Sequence, residues 1–171
     1  MATRFTQIVQ YFETLARQHV AIQHTDTEKH FYRFEIDEVL SGLSSINYPA
    51  LILEAYAIDY GDNKSDNVMK NRKGAFILLG NVPDRGDHDA IHELWDELEE
   101  IGDDILARIR ADKQNRNIAA IRNFDIANTQ VSIIANRVGN DYGLRYEFEL
   151  GSTANTDVNP DRWLTNSGSN G

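Results

Sequence analysis

The sequence has no cysteine. That excludes disulfides, thiolate-bound metals, iron–sulfur clusters and a thiol nucleophile together. Bases are scarce: 17 Lys and Arg stand against 27 Asp and Glu, for a net charge of −10. A general nucleic-acid binder displaces counterions with a basic stripe. None is present, so direct or sequence-specific nucleic-acid recognition is not expected. Long apolar runs are missing too. Every apolar stretch is broken by charges well short of the roughly 20 residues that span a bilayer, so no membrane partner is expected. The opening Met1-Ala2-Thr3-Arg4-Phe5 lacks the pattern of a charged region followed by an apolar run, and synthesis in a cytoplasm without export is the expectation.

Catalytic patterns are also lacking. No glycine cluster fits a phosphate loop, and Gly139-Asn140-Asp141-Tyr142-Gly143 reads as a hairpin turn. The serines lie outside any nucleophile-elbow pattern. His88 and His92 share a helix face beside Asp84, Asp87, Asp89 and Glu93. Such a group either holds a divalent metal or is simply a charged helix start at the surface, and it does not match the zinc-protease pattern. Glu54, Asp59 and Asp62-Asn63-Lys64 weakly resemble the carboxylate-and-lysine hairpins of metal-dependent nucleases, but no basic substrate groove accompanies them. The expectation is a non-enzymatic protein with no cofactor and no resident metal.

What is there is a folding pattern. With 171 residues, 41% of them hydrophobic, the chain can bury roughly 70% of its unfolded surface as one domain. Phe5, Ile8, Val9, Phe12, Leu15 and Ala16 recur at helical spacing, with Thr3 available as N-cap. Residues 30–36 read as a short strand, and residues 37–45 as a helical turn or loop. Tyr48-Pro49 opens a strand through Tyr60, in which Leu51, Leu53, Ala55, Ala57 and Asp59 face one way. A polar connection over 61–67 leads to a second strand over about 68–82, pairing antiparallel with the first. After Pro83-Asp84-Arg85-Gly86-Asp87, a helix carries the apolar stripe Ile91, Leu94, Trp95, Leu98, Ile101, Ile105, Leu106 and Ile109. Gly102 lies inside that stripe at a cost of about 1 kcal/mol against Ala, which points to a kink or to close packing on the sheet.

Residues 118–124 are ambiguous. Val131, Ile133 and Ala135 alternate as in a strand, and Leu144, Tyr146, Phe148 and Leu150 alternate with Arg145, Glu147 and Glu149 in another. The fold class is therefore α+β: an antiparallel or mixed sheet of two hairpins, with an N-terminal helix and a long central helix packed on one face. The charges of the last strand suit a sheet with one wet face. Residues 1–150 form the single domain. Residues 151–171, where Gly, Ser, Thr, Asn and Pro make up 14 of 21, form a flexible C-terminal arm. Its Trp163-Leu164 is the exception, an anchor for a surface of its own domain or of a neighbour.

The order of elements resembles one known group. The N-terminal helix leads to Tyr48-Pro49-Ala50-Leu51-Ile52-Leu53. Then come Lys73-Gly74-Ala75-Phe76-Ile77-Leu78-Leu79, ending at Val82-Pro83, and an acidic helix bearing Leu94-Trp95. Gly143-Leu144-Arg145-Tyr146-Glu147-Phe148-Glu149-Leu150 closes the domain. Over about residues 3–150 this looks like the tail terminator, or tail-completion, proteins of long-tailed bacteriophages. A longer loop over 61–72 and the 21-residue arm depart from that group's compact pattern.

The resemblance implies a structural virion protein at the head–tail junction, assembled in the host bacterial cytoplasm. Its copies would form a ring, six-fold in that family, that caps the tail tube and meets the head connector. The implied partners are the chain itself, the tail tube protein and the head–tail connector. Interface residues compatible with a ring are the apolar Phe31, Tyr56, Tyr60 and Trp163, with the acids Asp96, Glu97, Glu99 and Glu100. Those acids belong to residues 84–112, where eleven acids meet three bases and would repeat around a ring as a strong local field. The competing expectations are another head–tail joining or neck adaptor, and a generic α+β protein-interaction domain.

Overall fold

A computed structural model describes residues 5–33, 46–62, 68–114, 118–135 and 140–164. Thr3, residues 37–45 and residues 63–67, each read above from sequence, lie outside the described residues. The fold is α+β, with two α-helices and a mixed six-stranded sheet among the described residues. Helix α1 spans Phe5–Gln18 and α2 spans His88–Gln114. The strands are β1 (Phe31–Arg33), β2 (Ala50–Leu53), β3 (Ala57–Asp62), β4 (Val68–Asn81), β5 (Gln130–Ala135) and β6 (Asp141–Thr153).

The sheet order is β1-β2-β4-β6-β5, and β3 lies beside the first half of β4. Only β1 and β2 run parallel; the other pairs are antiparallel. Both expected hairpins are therefore present, as β3–β4 and β5–β6. The strand start read near residue 68 agrees with β4, while β3 continues to Asp62, so the loop given as 61–72 is shorter than that. The arm likewise begins later than Gly151: β6 continues to Thr153, which pairs with Met69, and the Ala154 amide donates to the Val68 carbonyl.

The strand expected from Pro49 to Tyr60 is two strands. Leu53 pairs with Phe76 and Ala57 with Lys73, so three residues on one chain oppose two on β4. One extra residue reverses the side-chain phase. Leu51 and Leu53 consequently share the helix-covered face with Ile58 and Tyr60, rather than with Ala57 and Asp59. Strict alternation read through the break assigns the second half to the wrong face.

Both helices pack on that one face. Ile8, Val9, Phe12, Leu15 and Ala16 of α1 join Leu98, Ile101, Ile105 and Ile109 of α2 over Leu51, Leu53, Phe76, Leu78, Leu144, Tyr146, Phe148 and Leu150. The aromatic rings meet closely at the centre, with Phe76 and Tyr146 stacked at 4.7 Å and Phe12 and Phe148 at 5.5 Å. The ambiguous segment 118–124 also enters this core: a 3-10 turn at Ala119–Ile121 buries Ala120, Ile121 and Phe124. The opposite face holds a smaller apolar cluster, Tyr32, Ala50, Ile52, Ile77 and Leu79. Beside it the face is charged, as the last strand implied. Arg145 there donates to Glu54 at 2.7 and 3.1 Å and to Glu147, and Lys73 pairs with Asp59 at 2.9 Å.

Gly102 proves to be a close-packing residue. A Cβ there would fall 1.9 Å from the Tyr146 hydroxyl oxygen and 2.2 Å from its Cζ, so only glycine lets α2 lie this near β6. A second link ties the helices together at their far ends. The Tyr11 hydroxyl donates to Asp112 at 3.0 Å, while Arg108 Nε donates to both Asp112 oxygens at 2.9 and 3.0 Å. Asp112, one of the eleven acids of residues 84–112, is thus buried and held by a phenol and a guanidinium.

Candidate functional site

The helix α2 is a ridge with a different flank on each side. Its buried line runs through Ile91, Leu98, Ile101, Gly102, Ile105 and Ile109. Leu94, Trp95 and Leu106, expected within that line, are half-buried beside it. The four acids singled out from sequence are all exposed, and they divide between the flanks.

Glu97 and Glu100 border a cavity of about 490 Å³ with Asp104, His19, Val20, Tyr48, Pro49 and Leu94. There His19 Nε2 stands 3.4 Å from an Asp104 carboxylate oxygen. The wall is stiffened by Tyr48, whose hydroxyl donates to Asp141 at 2.7 Å; Asn81 donates to the same oxygen at 3.0 Å. Burial, with Asp141 adding to it, pushes the Tyr48 phenol well above its ordinary range.

Asp96 and Glu99 border the other flank, a cavity of about 310 Å³ between α2 and β5 that includes Trp95, Val131, Ile133 and Leu144. Trp95 is sandwiched at the helix start, stacked on His92 at 5.8 Å and edge-on to Tyr142 at 6.2 Å. Its indole N–H is buried without an acceptor among the described residues. Beneath lies Tyr146, whose hydroxyl is also buried without a partner. Its pKa is pushed up to about 12 by burial first and by the charges of Asp103 and Glu99 second.

The alternation of Val131, Ile133 and Ala135 marks one face of a strand, β5. Val131 and Ile133 pair with Tyr146 and Leu144 on the helix-covered face, but α2 does not reach over them, and they are 52% and 62% exposed. Half-buried Ile134 instead packs on the opposite cluster. The outer edge of β5 pairs with no other strand among the described residues. Its sequence, Gln130-Val131-Ser132-Ile133-Ile134-Ala135, carries no charge and no proline, the usual means of protecting an edge from other strands.

Of the aromatic interface candidates, Phe31 is not available. At 6% exposure it belongs to the core, because the β1–β2 register places it beside Leu51 on the helix-covered face. Tyr56 is half-buried, edge-on to Phe5 at 5.2 Å and beneath the Arg72 guanidinium at 5.8 Å. Tyr60 is 64% exposed, with the Lys70 ammonium over its ring. Trp163 is 69% exposed on the arm beyond β6. The structure therefore brings none of these aromatics to the acidic ridge, which is instead joined by Val131, Ile133 and Trp95.

Glu54 and Asp59 do not converge on a metal-binding arrangement, since each is engaged by its own cation, Arg145 and Lys73. Among the described residues no group of three or more His, Asp and Glu side chains is placed to hold a metal ion. No helix among them is long and apolar enough to cross a membrane. The ridge and its flanks offer an apolar floor, an unprotected edge and acidic rims, which suit recognition of a macromolecular surface. Compared with protein-family models and with curated proteins, the chain matches none.

Proposed function

We propose that this chain is a structural virion protein of the tail-terminator kind, whose copies associate edge to face into a ring that caps a phage tail tube and meets the head connector. The observation that carries this reading is the uncharged, unpaired β5 edge beside exposed Val131 and Ile133, rimmed by the acids of α2. A long apolar edge is an aggregation hazard in a monomer unless something covers it. A heterologous contact, in which this patch meets a different patch of the next copy, closes into a ring when the rotation allows. The acids of α2 would then recur around the ring, either facing a basic partner or repelling DNA from a lumen. The resemblance in element order noted from sequence supports the same reading, with a neck or head–tail joining adaptor as its nearest relative in kind.

The test is direct imaging. Negative-stain micrographs of the purified chain, alone and after mixing with tail tubes, are expected to show rings or capped tube ends. Unassociated particles in both samples would overturn the proposal. Rings that join a connector but leave tube ends bare would favour the adaptor instead.

A further inference from the structure

We propose that Arg162-Trp163-Leu164 of one copy docks into the groove between α2 and β5 of a second copy. The indole and leucyl groups cover Val131 and Ile133, and the guanidinium lies against Asp96 and Glu99. This rests on the self-association part of the reading above and names the contact that makes it.

Two of the apolar surfaces that lie bare among the described residues are complementary in form. One is the α2–β5 groove, a concavity of about 310 Å³ floored by Val131, Ile133 and Leu144. The other is the arm tip, where Trp163 is 69% and Leu164 99% exposed. The tip is shaped before it meets anything. Asn159 caps a 3-10 turn by accepting from the Asp161 amide at 3.0 Å, Pro160 starts the turn, and the Trp163 amide closes it on the Pro160 carbonyl. A preformed turn loses little further freedom on docking, and a large aromatic entering an apolar pocket is the usual anchor of an interface.

Charge matches the groove at one position, the guanidinium of Arg162, although Asp157 and Asp161 leave the arm net negative. Arg162 is the one base between residues 151 and 171. The groove it would meet is rimmed by Asp96 and Glu99 within the most acidic segment of the chain.

Reach argues for a second copy over the same chain. The arm leaves the sheet where Thr153 pairs with Met69, whereas the groove lies at Leu144, at the other end of β6. Nine strand residues separate these points, about 30 Å at the usual rise. The ten residues from Thr153 to Trp163 span at most about 35 Å when fully extended, and the turn at Pro160–Arg162 shortens that. The near end of the groove, Val131 opposite Tyr146, is still seven strand residues from Thr153, about 23 Å. A copy's own arm must therefore run nearly extended up to the turn to reach it, while a neighbour's arm need not.

The absence of native cysteine makes the test clean. Full-length I133C and L164C variants are mixed and oxidised, and the mixed disulfide dimer is measured on a non-reducing gel. V20C, at an exposed position after α1, replaces I133C as the control. The expected result is a mixed dimer at least tenfold more abundant than with V20C. R162E introduced into the L164C chain is expected to reduce it at least threefold at low salt. D96K and E99K in the I133C chain are expected to restore it, which a merely sticky arm would not show.

Cross-linking at the control level overturns the proposal. So does an I133C/L164C double variant that closes on itself in dilute monomer. If rings form while cross-linking stays at the control level, the ring reading stands and only the arm contact falls. If imaging shows no association and cross-linking is absent, both fall.

Discussion

The two halves of α2 are built for different ends. From Ile101 onward the helix is locked to its surroundings: Gly102 leaves the Tyr146 phenol the space that a Cβ would take, and Asp112 is shared by Arg108 and Tyr11 of α1. From His88 to Glu100 it is anchored by Ile91, Leu98 and Leu94 against Gly80, but its flanks are open. Leu94 and Trp95 are half-covered, acids point outward on both flanks, and β5 stands bare beside it. The same amphipathic pattern thus serves as core in one half and as the wall of a groove in the other. The difference comes from what lies opposite. The second half faces α1 and the sheet centre, and the first half stops short of β5, the sheet's last strand.

Substitutions in the locked half should cost stability, and those in the open half should cost association. The largest effect is expected from Gly102→Ala, where a new methyl meets three Tyr146 atoms within 3 Å. It should lower the unfolding free energy by about 3 kcal/mol or more in denaturant titration. Asp112→Ala leaves the Tyr11 hydroxyl and the Arg108 guanidinium without their shared acceptor, and should cost about 2–3 kcal/mol by the same measurement. Trp95→Ala removes a half-buried indole from between His92 and Tyr142, and should cost about 2 kcal/mol, less than a fully buried tryptophan would. The smallest stability effect is expected from Val131→Lys with Ile133→Lys, within about 0.5 kcal/mol. If that pair destabilises the monomer as strongly as Asp112→Ala, β5 is core and the comparison fails.

A pH dependence sharpens the same contrast at the other end of the molecule. The His24 ring Nδ1 accepts from the His30 amide at 3.1 Å, and burial, aided by Arg17, holds its pKa below the ordinary 6.5. The fold therefore favours the neutral ring. Its contribution to stability is complete above about 6.5 and is lost as pH falls through that value toward the lower folded pKa. His24→Asn should flatten the stability profile over that window, as read by thermal unfolding at stepped pH. An unchanged profile would place the acid sensitivity elsewhere.

The sequence made some of this legible and hid the rest for definite reasons. Both helices, both hairpins and the wet face of β6 follow from periodicity, because a period of 3.6 or 2 records which side of an element meets apolar neighbours. Gly102 was conspicuous because it breaks a long apolar stripe. Three things were not legible. The extra residue between β2 and β3 leaves no mark in composition, yet it puts Ile58 and Tyr60 on the face opposite to the one alternation gives. Asp112 looks like any other acid of α2 until Tyr11, 101 residues earlier, is brought beside it.

The most consequential of the three is β5. Alternation identifies Val131 and Ile133 as one face of a strand. Whether a helix covers that face depends on how far α2 extends across the sheet, which no local pattern encodes. The α2–β5 flank accordingly holds Asp96 and Glu99 of the four acids, while Glu97 and Glu100 border the other flank and Phe31 lies in the core.

The most direct test of the central claim, that this molecule works through self-association at the α2–β5 flank, is light scattering of wild type beside the Val131→Lys, Ile133→Lys variant. Measurements should run over a wide concentration range. Wild type is expected to pass with concentration from monomer to one closed multimer, while the variant keeps its fold and stays monomeric. A wild type that is monomeric throughout, or a variant that assembles equally well, would contradict the account.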